Sequence, residues 1–339
     1  MKRDTQQYIR DIARSIAARR AMLGLALGMI AAAPCAAQPA WKPTRPVEFV
    51  VGSGAGGGND RTARLLQKIW RENQWLEPVN VVNKPGGGGA LAYTFVSQQT
   101  GDAHYIVVAR KAVLTNHILG RSPLHYGDLT PLAVMANEPN AFAVRADSPL
   151  RSLKELVDTL STDAQSITTS VGSTRGGPSH MAVVQLAKIA GADLRKLKVV
   201  TFNGSAESVT NLLGGHIQMI SSSVDALVPH QRSGTMRILG VATAQRTPAL
   251  PNVPTFREQG YDTVIGNWTA IMGPKSLTPA QIAYWDDLLE RTFNHAAWKA
   301  MLDADALEHD FRKSRATREL MARDYELERK MLNELGMTK

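Results

Sequence analysis

Short apolar runs recur along the chain, and most are followed by a helical period. Val47-Glu48-Phe49-Val50-Val51 reads as a buried strand, and Ala63, Leu66, Ile69 and Trp70 behind it share one helical face. Further strands are predicted at 79–82, 105–108, 141–145, 167–171, 198–202, 217–220 and 238–241. Between them lie helical patterns. One runs through Leu91 and Phe95. A second opens on the capping box of Ser152 and Glu155 and reaches about Leu160. Pro178 suits the first turn of a helix over 181–189, and Gly214-Gly215 closes one over 205–213. Another covers 224–232. The end of the chain is helical, with Thr278-Pro279 capping a helix to Phe293 and a long charged helix over 317–335. Strand–helix alternation of this kind predicts an α/β fold with mostly parallel sheets flanked by helices.

Residues 1–37 stand outside that pattern. Lys2, Arg3, Arg10, Arg14, Arg19 and Arg20 precede a short apolar stretch, 21–33, and Cys35-Ala36-Ala37 offers small residues at −3 and −1. This is the plan of an export signal cleaved before Gln38. The apolar stretch is too short to span a bilayer, and Pro34 fits a lipoprotein signal poorly. The Arg19-Arg20 pair suits a twin-arginine route as well as an ordinary secretory one. The expected location is the periplasm. Cleavage removes the single cysteine, so stability must come from a core rather than disulfides. Of the formal net charge of +9, the leader carries four (six basic, two acidic residues), which leaves +5. That surplus favours anionic small molecules or plain solubility. No basic cluster interleaved with aromatics marks a nucleic-acid surface. No later stretch reaches 18 apolar residues, so the mature chain is not expected to be membrane-embedded. Its length allows two lobes.

Two loops carry the chemistry. Gly52-Ser53-Gly54-Ala55-Gly56-Gly57-Gly58-Asn59-Asp60 and Gly172-Ser173-Thr174-Arg175-Gly176-Gly177-Pro178-Ser179-His180 each follow a strand and precede a helix. Glycines let the backbone approach a ligand, and a helix start offers unpaired N–H groups to an anion. Two such loops across a cleft would hold both ends of a dianion. Arg110, Lys111 and Arg175 lie at strand ends: Arg175 would fork onto a carboxylate and Lys111 add a point charge, unless they are surface cations. Trp268 would wall a pocket or fill the core. Gly52, Gly54 and Gly57 also satisfy G-x-G-x-x-G, but the ribose-binding acid expected after the next strand is replaced by Asn83 and Lys84. Catalytic patterns are missing. There is no G-x-S-x-G elbow, and Ser173, Ser179 and His180 lack an orienting third group. The eight histidines show no metal-binding spacing. Neither enzyme activity, nor a cofactor, nor a metal is expected.

These loops belong to longer stretches: Arg45-Pro46 before the first strand, Gly56-Gly57-Gly58-Asn59-Asp60, Asn83-Lys84-Pro85-Gly86-Gly87-Gly88-Gly89, Asn211-Leu212-Leu213-Gly214-Gly215-His216 and Arg246-Thr247-Pro248-Ala249-Leu250-Pro251-Asn252-Val253-Pro254-Thr255. Together they resemble the Bug-type extracytoplasmic solute receptors, the binding subunits of tripartite tricarboxylate transporters. The last stretch is the most specific, and the resemblance spans the chain after the leader. It implies a two-lobe periplasmic binding protein fold (type II-like) with a ligand cleft between lobes. Lobe 1 would comprise 38–142 and 265–339 and lobe 2 143–264, with crossings near 141–145 and 264–268. It implies a monomer that delivers a carboxylate to a two-component membrane permease. The loops 53–60 and 172–180 would hold the carboxylate through backbone N–H groups, hydroxyls and waters. The candidate site is therefore Ser53, Gly57, Gly58, Asn59, Asp60, Arg110, Lys111, Ser173, Thr174, Arg175, Ser179, His180, Asn203, Ser222 and Trp268.

The chain departs from the family at several of these positions. Ala55 and Asn59 replace a proline and a threonine, and Phe202 removes a phenolic hydroxyl. Ser222 stands where the family has an aspartate, and Arg110-Lys111 where it has small, uncharged residues. One acid lost and two bases gained point to a di- or tricarboxylate, aromatic ones included, and away from an amino acid. Two alternatives remain: a nucleotide-dependent oxidoreductase using 52–57, and a ligand-sensing accessory to a sensor kinase.

Overall fold

The computed structural model describes residues 41–339 apart from Ser173, Asn203 and Lys339; the leader and two of the candidate site residues lie outside the described residues. The first unit is β1 (Val47–Val51), α1 (Gly58–Glu72) and β2 (Val79–Asn83), followed by α2 (Ala90–Ser97), β3 (Tyr105–Arg110) and α3 (Ala112–Ile118). β1 pairs in parallel with both β2 and β3. Its near-continuous apolar run reflects cover on both faces. On one face α1 buries Ala63, Leu66, Ile69 and Trp70. Trp70 stacks on Phe49 with centroids 5.7 Å apart, and its Nε1 donates to Thr292 at 2.7 Å, tying the N-terminal helix to the far end of the chain.

β4 (Leu129–Arg145) is a 17-residue strand, of which only the last five residues were legible as one. Its first part pairs antiparallel with β9 (Gly266–Pro274), down to Pro139 opposite Gly266. Its last part pairs with β7 (Met219–Ser223) and β8 (Met236–Val241), beginning at Asn140 opposite Ser223. Proline cannot donate to a ladder, and the strand accommodates Pro131 beside a register shift. Gly266 lets the two strands meet, since a Cβ there would lie 2.1 Å from the Asn137 side chain.

Around the second part of β4 stand α4 (Leu153–Thr162), β5 (Thr168–Ser170), α5 (Pro178–Ile189), β6 (Lys198–Val200), α6 (Ser205–Leu213) and α7 (Val224–Arg232). The strand order is β2-β1-β3-β9-β4-β7-β5-β6, with β8 and the short β10 (Arg312–Lys313) also paired to β4. Both outer runs are parallel, as the alternation predicted, and the strands around the crossing are antiparallel. The chain ends in α8 (Pro279–Phe293), α9 (Ala296–Ala304) and α10 (Ser314–Glu334). Thr278 caps α8 with the reciprocal box to Gln281. The box expected at Ser152 is half formed: Ser152 takes the Glu155 N–H, but the Glu155 carboxylate takes the Arg151 N–H instead. No helix among the described residues is long and apolar enough to cross a membrane.

Candidate functional site

The first glycine loop joins β1 to α1. Gly52 carries no Cβ because one would lie 2.7 Å from the Gly89 Cα, so the loop 85–89 serves as packing for the loop 52–60. Gly54, Gly56 and Gly58 face open space. Asp60, in the first turn of α1, is buried and turned back into the loop. Its Oδ2 accepts from Arg64 and from the Gly56 N–H, both at 2.8 Å, and its Oδ1 accepts from Asn83 at 2.9 Å. The Arg64 bond above all, helped by Gly56 and Asn83, lowers its pKa to about 2 despite burial. The Asn83 amide also donates to the Ser53 carbonyl at 3.0 Å. The residue that would be a ribose-binding acid in a dinucleotide fold is thus an amide that ties the loop down. Asp60 holds the loop; the N–H groups of Gly58 and Asn59, in the first turn of α1, have no intrahelical acceptor.

The second loop, between β5 and α5, lines a cavity of about 230 Å³. Its walls are Glu138 and Asn140 of β4, Thr174 and Ser179 of the loop, Ser205 of α6, Ser222 and Ser223 of β7, and Asn267 of β9. Asn140 donates to the Ser179 Oγ at 2.8 Å, and the Ser221 hydroxyl lies 2.7 Å from the Asn140 Oδ1 and 2.8 Å from the Ser179 carbonyl. The Ser205 and Ser222 hydroxyls are 2.9 Å apart. Gly177, Gly204 and Ser223 are the N-caps of α5, α6 and α7, and all three line this cavity. Three helices therefore direct their positive ends and unpaired N–H groups at one hydroxyl-rich space, which suits an anion.

The expected cations have protein partners. Lys111 is buried, with its Nζ 3.2 Å from Glu328 and 3.5 Å from Asp324. Burial alone would lower its pKa, but the two carboxylates raise it overall. Trp268 is a core residue whose Nε1 donates to Asp324 at 3.1 Å. The Arg175 guanidinium donates to the Val199 carbonyl. His180 is buried, and its Nδ1 accepts the Gly176 N–H at 2.9 Å; burial, then Arg175, lowers its pKa to about 4. Arg110 pairs with Glu138 and donates to Thr269 at 2.7 Å. Of the candidates, Thr174, Ser179 and Ser222 meet in the cavity, whereas the residues of 53–60 are not part of its lining. The missed residues are Glu138, Asn140, Ser205, Ser223 and Asn267. Ser205 and Ser223 had a signal, each standing at a predicted strand-to-helix junction.

An α/β fold in which one long strand, β4, runs from one set of parallel strands to the other, with a polar space walled by helix starts beside it, is the architecture of a two-lobe solute-binding protein. Residues 62–337 match the model of the tripartite tricarboxylate transporter family receptor, and the chain belongs to that family. Protein BugT of Bordetella pertussis is 26% identical over 270 residues, covering 78% of this chain and 80% of that one. A TctC solute-binding protein from Polaromonas, solved without ligand, superposes with a TM-score of 0.77 at 26% identity, covering 86% of this chain and 99% of that one. MatC from Rhodopseudomonas palustris, solved with bound malate, shares the fold at a TM-score of 0.60 and 21% identity, covering 88% and 100%. The family and fold are those of solute-binding receptors rather than enzymes.

Proposed function

We propose that the protein captures a small carboxylate, a di- or tricarboxylate in the first instance, in the periplasm and delivers it to a two-component membrane permease. The observation that carries this reading is the convergence of three helix N-termini on one hydroxyl-lined cavity. Backbone N–H groups and helix dipoles stabilise a carboxylate without a fixed counter-charge. The malate held by MatC supports the same ligand class. In this reading residues 1–37 are a cleaved export signal. Residues 38–142 with 265–339 form one lobe and 143–264 the other, and they close on the ligand by bending at the crossing strands. The loop 53–60 would meet the second end of the ligand on closure. The working form is a monomer.

The test is calorimetry of the purified mature chain against a panel of mono-, di- and tricarboxylates, with amines and NADH as controls. Saturable binding of a carboxylate is expected. Binding of NADH or of a simple amine in preference to every carboxylate would overturn the reading.

A further inference from the structure

Among the described residues, Glu138 is the only acidic or basic side chain in the cavity wall. Neighbouring strand residues point to opposite faces; Asn137 bonds to Glu308 and lines a different cavity, while Glu138 faces the cavity of the three helix starts. Its Oε2 accepts from both Arg110 and Asn267, the latter at 3.2 Å. Its Oε1 has no partner among the described residues, and the side chain is 25% exposed. A carboxylate with one oxygen fixed by a guanidinium and the other open to a binding cavity is an acceptor awaiting a donor. The positive helix ends lie on the walls formed by α5, α6 and α7. A ligand whose carboxylate sits there turns its remaining atoms toward β4.

We propose that Glu138 sets specificity, selecting carboxylates that carry a hydrogen-bond donor, a hydroxyl or an ammonium, over unsubstituted acids of the same length. This rests on the carboxylate reading above. Arg110 cannot offset a bare second carboxylate at this position, because its guanidinium is already paired with Glu138. An acid that places only methylenes there leaves Oε1 without a partner in a closing cavity, which is costly. Glu138 also changes the inference drawn from Ser222. The acid absent from β7 is balanced by one on β4, so an amino-substituted ligand regains an anionic partner.

The test is calorimetry of the mature chain with two matched series: succinate, malate and aspartate, then glutarate, 2-hydroxyglutarate and glutamate. The expected result is that a hydroxy or amino member binds at least about tenfold tighter than the unsubstituted acid of its series, as a hydrogen bond to a charged group implies. Glu138→Met, which removes the acceptor at similar size, is expected to reduce that lead below about threefold. Equal binding within each series, or a lead unchanged in Glu138→Met, overturns the proposal and leaves the carboxylate reading intact. No binding of any of the six to the wild-type chain overturns both. The comparison within the wild type needs no variant, so equal binding there overturns the proposal even if Glu138→Met does not fold.

Discussion

In the loop ahead of α1 the N–H of Gly56 is taken by Asp60, four residues on; in the loop ahead of α5 the N–H of Gly176 is taken by His180 at the same spacing. The likeness goes further. Gly56 and Gly176 both hold positive φ, at 79° and 84°. Gly57 and Gly177 are the N-caps, and each donates to the carbonyl three residues back, Gly54 and Thr174. One backbone plan is thus pinned in two ways, by an ionised carboxylate in the first loop and by a neutral imidazole in the second. Glycine opens the loop to a ligand, and a buried acceptor in the first helical turn fixes its shape. A titratable residue inside such a loop is thus engaged in holding the backbone.

Removing a buried cation should have the greatest consequence, and shows whether side-chain cations have any share in carboxylate binding. Lys111→Met leaves Glu328 buried without its cationic partner, while Asp324 keeps Arg323 and Trp268, and is expected to cost about 3–5 kcal/mol of stability in denaturant unfolding. Carboxylate affinity, measured where the variant is folded, should change little. A loss of affinity with unchanged stability would return Lys111 to the site.

The two pinning residues should separate on acidification. His180 has its pKa lowered to about 4 by burial and Arg175, so its folded form resists protonation that the unfolded chain accepts below about 6.5. Its contribution is complete above pH 6.5 and falls by about 3 kcal/mol as pH drops to 4. Asp60, lowered to about 2 from 3.8 by Arg64, Gly56 and Asn83, contributes above pH 3.8 and loses that only as pH falls through 2. Its share is smaller, about 1–2 kcal/mol, since the Arg64 partner is half exposed. Urea unfolding of His180→Leu should show a shallower slope between pH 6.5 and 4 than the wild type, and Asp60→Asn should keep the wild-type slope. The same slope in both variants would show that the loops are not pinned in this way.

A smaller effect distinguishes the surroundings. Gly176→Ala adds a Cβ 2.9 Å from Leu119 at a positive φ, whereas Gly56→Ala meets open space. Thermal unfolding should show about 1 kcal/mol for Gly56→Ala from backbone strain alone, and more for Gly176→Ala.

The sequence disclosed elements whose signals are local. β1 with α1, α7 and α8 were legible from period and caps. The first part of β4 was not, because its prolines and its polar crossing residues imitate a loop while long-range pairing with β9 makes it a strand. The same division holds at the site. Both glycine loops were visible, since their chemistry lies in consecutive residues. Glu138, Asn140 and Asn267 were hidden, because crossing strands bring them to the cavity. Arg110 and Lys111 looked free for a ligand because their partners lie far along the chain, Glu138 at 28 residues and α10 beyond 200.

Helix N-termini around the cavity are expected to recognise a carboxylate by its charge. Calorimetric titration with malate and with its neutral diamide, identical in backbone and hydroxyl, tests this most directly. The account predicts saturable binding of malate and none of the diamide at the same concentrations. Equal binding of the two would show that the cavity reads the hydroxyl and carbon frame, and that the convergent helix ends do not select for charge.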